Sequence, residues 1–334
     1  MRTLWICLTW ALLGWGLPRS AQAYCLTHTC EFSGTELCTW DAARGCWTGG
    51  TVARWGTSCI HYAVHADGSR EEGISAATLS AALAVGFRTW SSVACGADGL
   101  SPELTAVERG LTRCDQVEFN CAAPEDNDNI VLFRDGRSDL AATTIALTTT
   151  VANISTGQIL DVDVEINSAA FDFYLAELDA RPDAHDLQLV LNHELGHFLG
   201  LSHTLEPGAL MRAEYDAADR APGADDIAGI CQSLHPSRSD PECSVGPSPG
   251  TCVGTDASCP EPPALLHDDG GCALGPGRSQ HGRSGVVLLL GAALGLVTRA
   301  GFARRRGPAR RDTARCLSGR SGTASRDCRR RGDD

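Results

Sequence analysis

Five residues in one short stretch could do chemistry together. His193, Glu194, His197, Gly200 and His203 stand in the segment HELGHFLGLSH. Histidines four apart on a helix share one face, about one turn apart, so both imidazoles can grip a single ion. Glu194 lies between them, beside the ion, where a carboxylate can take a proton from water. Gly200 permits a sharp turn after the helix, and His203 can then return as a third ligand. Three imidazole nitrogens with one position left open is the catalytic arrangement of zinc, not the closed structural one. Such an ion lowers the pKa of water toward about 7 and polarises a carbonyl. The bland alternative is a helix with solvent-facing histidines. His28, His61, His65, His185 and His235 have no ligand spacing and read as ordinary surface or core residues.

The elements that must position these residues are legible in outline. A helix is predicted over Asp186–Leu199, stopped by Gly200. Another is predicted over Ser75–Ala94, with Leu79, Leu83, Phe87 and Trp90 on one face and Ser75 as N-cap. A last helix runs from about Asp225 to Leu234, with acidic residues in its first turn. Strands are predicted at Cys59–His65, Asn129–Phe133, Ala141–Val151 and Ile159–Ile166. In the last, hydrophobic residues alternate with Asp161, Asp163 and Glu165, which predicts one wet face. Strands interleaved with helices and followed by two more helices give a mixed α/β (α+β) domain.

Composition bounds the rest. The 334 residues carry a net charge of −13. Tyr24–Cys272 holds 12 Arg against 37 acidic residues, whereas Ala273–Asp334 holds 14 Arg against 4. An acidic body argues against nucleic-acid binding, which needs a basic face. Arg2, an apolar Leu4–Leu17 and the small-x-small Ala21–Ala23 read as an export signal over residues 1–23. Of the 16 Cys, 12 lie between Cys25 and Cys259, an even number that fits disulfides in an exported chain. Trp40 and Trp47 read as local packing of a Cys-rich extension over residues 24–51.

HELGHFLGLSH resembles the HExxHxxGxxH motif of the metzincins. Gly208–Met211 (GALM) resembles their Met-turn, which places a methionine beneath the metal. Asp225–Pro236 (DDIAGICQSLHP), Ile74–Val93 and Thr156–Asn167 (TGQILDVDVEIN) resemble segments of the matrixins. The similarity covers about Val52–Pro236. It implies a metzincin-like zincin domain over residues 52–238, with a twisted mixed sheet, an active-site helix and a C-terminal helix. It implies His193, His197 and His203 as zinc ligands, Glu194 as general base, and Gly200 and Met211 as structural residues. It also implies a monomeric endopeptidase for extracellular proteins and peptides, whose substrates lie antiparallel to an edge strand, with Thr143–Thr150 as the candidate. Glu194 argues against the alternative of a zinc-loaded but inactive binding module. No PRCGxPD-like latency segment is found. Calcium is possible at Asp126, Asp128, Asp161 and Asp163, whose bland alternative is a solvated acidic face. Tyr215, four residues past Met211, reads as packing.

Residues 239–271 are rich in Pro, Gly and Cys and read as a linker. Beyond them, Cys272, an apolar stretch over about 285–303 and an Arg cluster resemble the sorting signal of exported myxobacterial proteins, spanning 272–306. This predicts membrane attachment by the helix or an anchor at Cys272, and so a surface-anchored or extracellular protein. Residues 307–334 read as an Arg-rich disordered tail.

Overall fold

The computed structural model describes residues 23–29, 38–136, 139–175, 183–234, 243–254 and 264–267. All of them belong to the first of two compact units, Met1–Ser279. The export signal, Cys272, the apolar stretch 285–303 and the tail lie outside the described residues. No helix among the described residues is long and apolar enough to cross a membrane.

In chain order, β1 (Cys25–Leu26) is followed by the hairpin β2 (Cys38–Asp41) and β3 (Cys46–Gly49). Then come β4 (Arg54–Trp55), β5 (Cys59–His65), α1 (Ala76–Ser91), β6 (Thr105–Thr112), β7 (Ile130–Phe133), β8 (Ala146–Ala152) and β9 (Gln158–Ile166). A short parallel pair, β10 (Asp172–Tyr174) and β11 (Ala184–Asp186), leads into α2 (Leu187–Phe198), β12 (Leu201–Ser202), α3 (Ala224–Ser233) and β13 (Ala264–His267). The main sheet has the order β13-β8-β9-β7-β5-β6, with β4 beside β9. Strands β6, β5, β7 and β9 run parallel, and β8 is antiparallel to both β9 and β13. This is the mixed α/β architecture expected.

One face of the sheet carries the helices. Ile60, Tyr62 and Val64 of β5, Val131 and Phe133 of β7, and Val162, Val164 and Ile166 of β9 point into one core with Leu79, Leu83, Phe87 and Trp90 of α1. Alternation along each strand sends the remaining residues to the other face. Ser75 caps α1 by accepting from Thr78 N, and Asp186 caps α2 by accepting from Gln188 N and Leu189 N. The two helices meet closely at Gly86, where an added Cβ would stand 2.5 Å from Leu195. Phe87 packs edge-on against Phe198 at 5.5 Å, and Trp90 Nε1 donates to Asn192 O at 2.8 Å.

The structure corrects three expectations. The alternating face of β9 is not wet: Asp161 and Asp163 are 1% exposed and Glu165 is 9%. The strap between β6 and β7 covers it. Asp163 accepts from Ile130 N at 2.8 Å, Glu165 binds Arg134 at 2.6 Å, and Glu118 approaches Asp161. Second, β8 begins at Ala146, and its outer edge is occupied from Thr149 to Ala152, where Ala264–His267 pairs along it. Third, β6 was not foreseen. Its sequence TAVERGLT lacks clean alternation and contains Gly110.

Disulfides join Cys25 to Cys46, Cys59 to Cys243, Cys95 to Cys231 and Cys114 to Cys252. Cys38 and Cys121 are also disulfide-bonded. Residues 243–254 are therefore stapled twice, to β5 and to the chain just beyond β6. Arg109 strengthens this attachment by donating to Gly246 O and Pro247 O and pairing with Asp128 at 3.3 Å.

Candidate active site

Helix α2 brings His193 and His197 to one face, both buried. Gly200 then takes φ +92°, a backbone conformation that side chains other than hydrogen rarely adopt. An added Cβ there would also stand 3.0 Å from Ala53 O and from Ser233 Oγ. The chain reverses into β12, which pairs antiparallel with β1, Cys25 opposite Ser202 and Leu26 opposite Leu201. Thr27 N donates to Gly200 O and Leu205 N to Arg44 O, both at 3.0 Å. The N-terminal extension thus fixes the loop that carries His203, a role its Cys and Trp content did not reveal. Trp40 and Trp47 face each other across the β2–β3 hairpin at 5.4 Å.

The three histidines converge. His193 Nε2 lies 3.0 Å from His197 Nε2 and 3.1 Å from His203 Nε2, and the His197–His203 distance is 3.1 Å. The other ring nitrogens are occupied: His193 Nδ1 faces Leu210 O at 2.7 Å and His197 Nδ1 faces Leu201 O at 2.9 Å. A carbonyl only accepts, so these two Nδ1 atoms carry the proton and Nε2 of His193 and of His197 presents a lone pair. Lone pairs about 3 Å apart repel unless a cation stands among them. Nitrogens at zinc distance in a tetrahedral shell would be about 3.3 Å apart, close to what these residues offer. The donor set fits zinc. The cluster Cys114, Glu118 and Cys252 does not compete, because its two sulfurs are bonded to each other.

Glu194 is fully buried next to this cluster, and Thr148 of β8 donates to its Oε2 at 2.6 Å. Below lies the turn ending in Met211, which is 1% exposed. An added Cβ on Gly196 would stand 2.2 Å from Met211 Sδ and 2.9 Å from Trp90, so only glycine lets helix and methionine touch. Asp226, in the first turn of α3, pins that turn by accepting from Leu210 N at 2.6 Å, Met211 N at 3.1 Å and Gly223 N at 2.7 Å. Its burial pushes the carboxyl up to about 6, against the three amides that favour its charged form. Leu210 hence links α3 to the histidine cluster, taking Asp226 on its amide and His193 on its carbonyl.

Tyr215 packs at the start of α2. Its hydroxyl accepts from Asp186 N at 3.0 Å, and its ring packs on His185 at 4.9 Å. Asp186 also pairs with Arg220 at 2.6 Å, which anchors the start of α2. Asp161 and Asp163 lie together, and burial first, then their mutual proximity or that of other acids, raises both carboxyls well above the ordinary range. Asp128 is held by Arg109 and Ser248, and Asp126 is exposed on a short turn.

The matrixin profile, peptidase group M10, matches residues 54–235, more than half of the chain. The chain belongs to the matrixin family. Every residue of the histidine cluster, Glu194, Thr148, Met211 and Asp226 falls inside the matched range. Over 67 residues this matrixin is 42% identical to human neutrophil collagenase, a stretch covering 19% of this chain and 14% of that protein. The similarity to this relative is therefore local.

Sequence spacing alone missed Thr148, Gly196 and Asp226. A signal existed for Gly196, since it stands inside the histidine motif, and for Asp226, in the DDIAGI segment. Thr148 had none, because its partner is 46 residues away.

Proposed function

We propose that this matrixin is an exported zinc metalloendopeptidase that hydrolyses peptide bonds of extracellular proteins and peptides. The observation that carries the reading is the convergence of three Nε2 atoms within 3.1 Å, beside a buried carboxylate. His193, His197 and His203 would hold zinc, with Nδ1 of the first two locked on backbone carbonyls. Zinc, when bound, supplies a Lewis acid that polarises the substrate carbonyl and makes water nucleophilic near neutral pH. Glu194 accepts the proton of the attacking water and delivers it to the leaving amine. Thr148 holds Glu194 in the orientation that both transfers need. Met211 and Asp226 fix the floor beneath the histidines.

The disulfides support export. Attachment to the cell surface through the C-terminal stretch, and action as a monomer, complete the reading. Calcium would be sought at Asp161 and Asp163, two neighbouring buried acids for which a divalent cation would relieve charge repulsion. A rise in melting temperature with calcium, absent in Asp161→Asn, would identify it.

The test uses the zinc-loaded full chain on a quenched-peptide library, beside Glu194→Ala and a chelated sample. Cleavage is expected from the untreated protein and from neither control. Cleavage persisting in Glu194→Ala would remove Glu194 from the mechanism. About one zinc per chain, lost on His193→Ala or His203→Ala, is the accompanying binding measurement.

A further inference from the structure

The edge of β8 is where a peptide would be laid beside the catalytic residues, because Thr148 of this strand bonds Glu194 directly. Adding a strand to that edge supplies main-chain hydrogen bonds without much demand on side chains. Yet the edge already has an occupant. Strand β13 pairs with it antiparallel, in the register Ala264–Ala152, Leu265–Val151, Leu266–Thr150 and His267–Thr149. The next residue of β8 is Thr148. The direction of β13 therefore runs toward the catalytic carboxylate, as an extended substrate antiparallel to β8 would run.

We propose that Ala264–His267 is an intramolecular ligand of the peptide-binding edge, which keeps β8 closed to other peptides until it is displaced. The proposal rests on the peptidase reading above. Its second support is the anchoring of the chain just before β13. Cys243 is bonded to Cys59 and Cys252 to Cys114. Arg113 N donates to Gly250 O, and Gly254 N donates to Glu118. Only residues 255–263, nine in number, separate this stapled segment from Ala264. A tether that short gives an effective concentration on the order of millimolar when its span matches. A free peptide must outcompete the attached strand at that level. Once the tether is cut, a micromolar solution dilutes the same strand about a thousandfold.

The test inserts a site for a sequence-specific protease between Pro260 and Glu261 of the full chain. The zinc-loaded protein folds uncut, and is then cut in place. Expected is a rise of at least tenfold in kcat/KM on a quenched peptide after cutting. The uncut double variant Leu265→Pro/Leu266→Pro, which cannot complete the ladder, should match the cut protein. A readout independent of catalysis uses the Glu194→Ala background. There, a labelled synthetic peptide of residues 262–269 should bind the cut form and not the uncut one. Equal peptide binding and equal hydrolysis before and after cutting would overturn the proposal while leaving the peptidase intact. Peptide binding that appears on cutting, with no hydrolysis by any form, would retain the strand and overturn the peptidase. If the proline variant fails to fold, the protein cut after folding decides.

Discussion

The hydroxyl of Thr148 donates to Oε2 of Glu194 at 2.6 Å, between two side chains that are almost fully buried. A carboxylate in the role proposed for Glu194, accepting a proton and handing it on, works only in a narrow range of orientations, and misplacement by about 1 Å can cost on the order of a hundredfold in rate. Thr148→Val keeps the shape and removes the donor. It is expected to lower kcat by about tenfold to a hundredfold, with zinc stoichiometry unchanged. Thr148→Ser should restore most of the rate. Unchanged kcat in Thr148→Val would make the hydroxyl a packing feature.

This pair shows why the sequence yields only part of the site. The three histidines, Glu194 and Gly200 lie within eleven residues, so helical periodicity places His193 and His197 on one face and Gly200 marks the turn that returns His203. Ser75, Asp186 and the apolar spacing of α1 are likewise local signals. Thr148 reaches Glu194 through the pairing of β8 with β9 and the packing of both on α2, which no local spacing encodes. The acidic face of β9 misled for a related reason. Alternation reports which residues share a face, and whether that face meets water depends on the strap that Cys114–Cys252 holds across the fold. The outer edge of β8 from Thr149 to Ala152 is occupied by a segment more than a hundred residues downstream, again invisible to periodicity.

Asp226 carries a pH dependence with a definite sign. Its pKa rises from an ordinary 3.8 to about 6, chiefly because burial disfavours the charged form. The folded chain therefore holds this proton more tightly than the unfolded chain. Stability from this group is fully present below about pH 4 and is lost as pH rises through about 6. The difference is worth about 3 kcal/mol. Asp226→Asn removes the titration. Urea unfolding of zinc-free wild type and Asp226→Asn at pH 4 and pH 7 should show the wild type losing about that much relative to the variant. A gap between the two that does not vary with pH would contradict the assignment.

Gly196 is the contact point between α2 and the turn beneath it. A methyl group there would overlap Met211 Sδ at 2.2 Å and Trp90 at 2.9 Å. Alanine normally favours a helix over glycine by about 1 kcal/mol, so propensity alone predicts stabilisation. Overpacking of a filled core costs about 1–3 kcal/mol, and with both neighbours buried the clash wins. Gly196→Ala should lower the melting temperature and weaken zinc binding, because Leu210 O holds His193 and moves with the turn. Pairing it with Met211→Ala, which vacates the space, should recover part of the loss. Absence of any such coupling in the double variant would place the clash elsewhere.

Zinc itself should be visible in stability. The three Nε2 atoms are held about 3 Å apart, two of them by hydrogen bonds on the far side of their rings, so an ion bound among them would relieve the repulsion between them. An ion that binds only the folded state stabilises it by about 4 kcal/mol at free zinc a thousandfold above its Kd. Chelation should therefore lower the melting temperature by several degrees in calorimetry, reversibly on adding zinc back. In His203→Ala two of the three imidazoles remain, and the drop on chelation should shrink while the zinc-free baseline stays near wild type or rises. Were His193→Ala, His197→Ala and His203→Ala all to keep the full response to chelation, the ion would have to sit somewhere other than among these three rings.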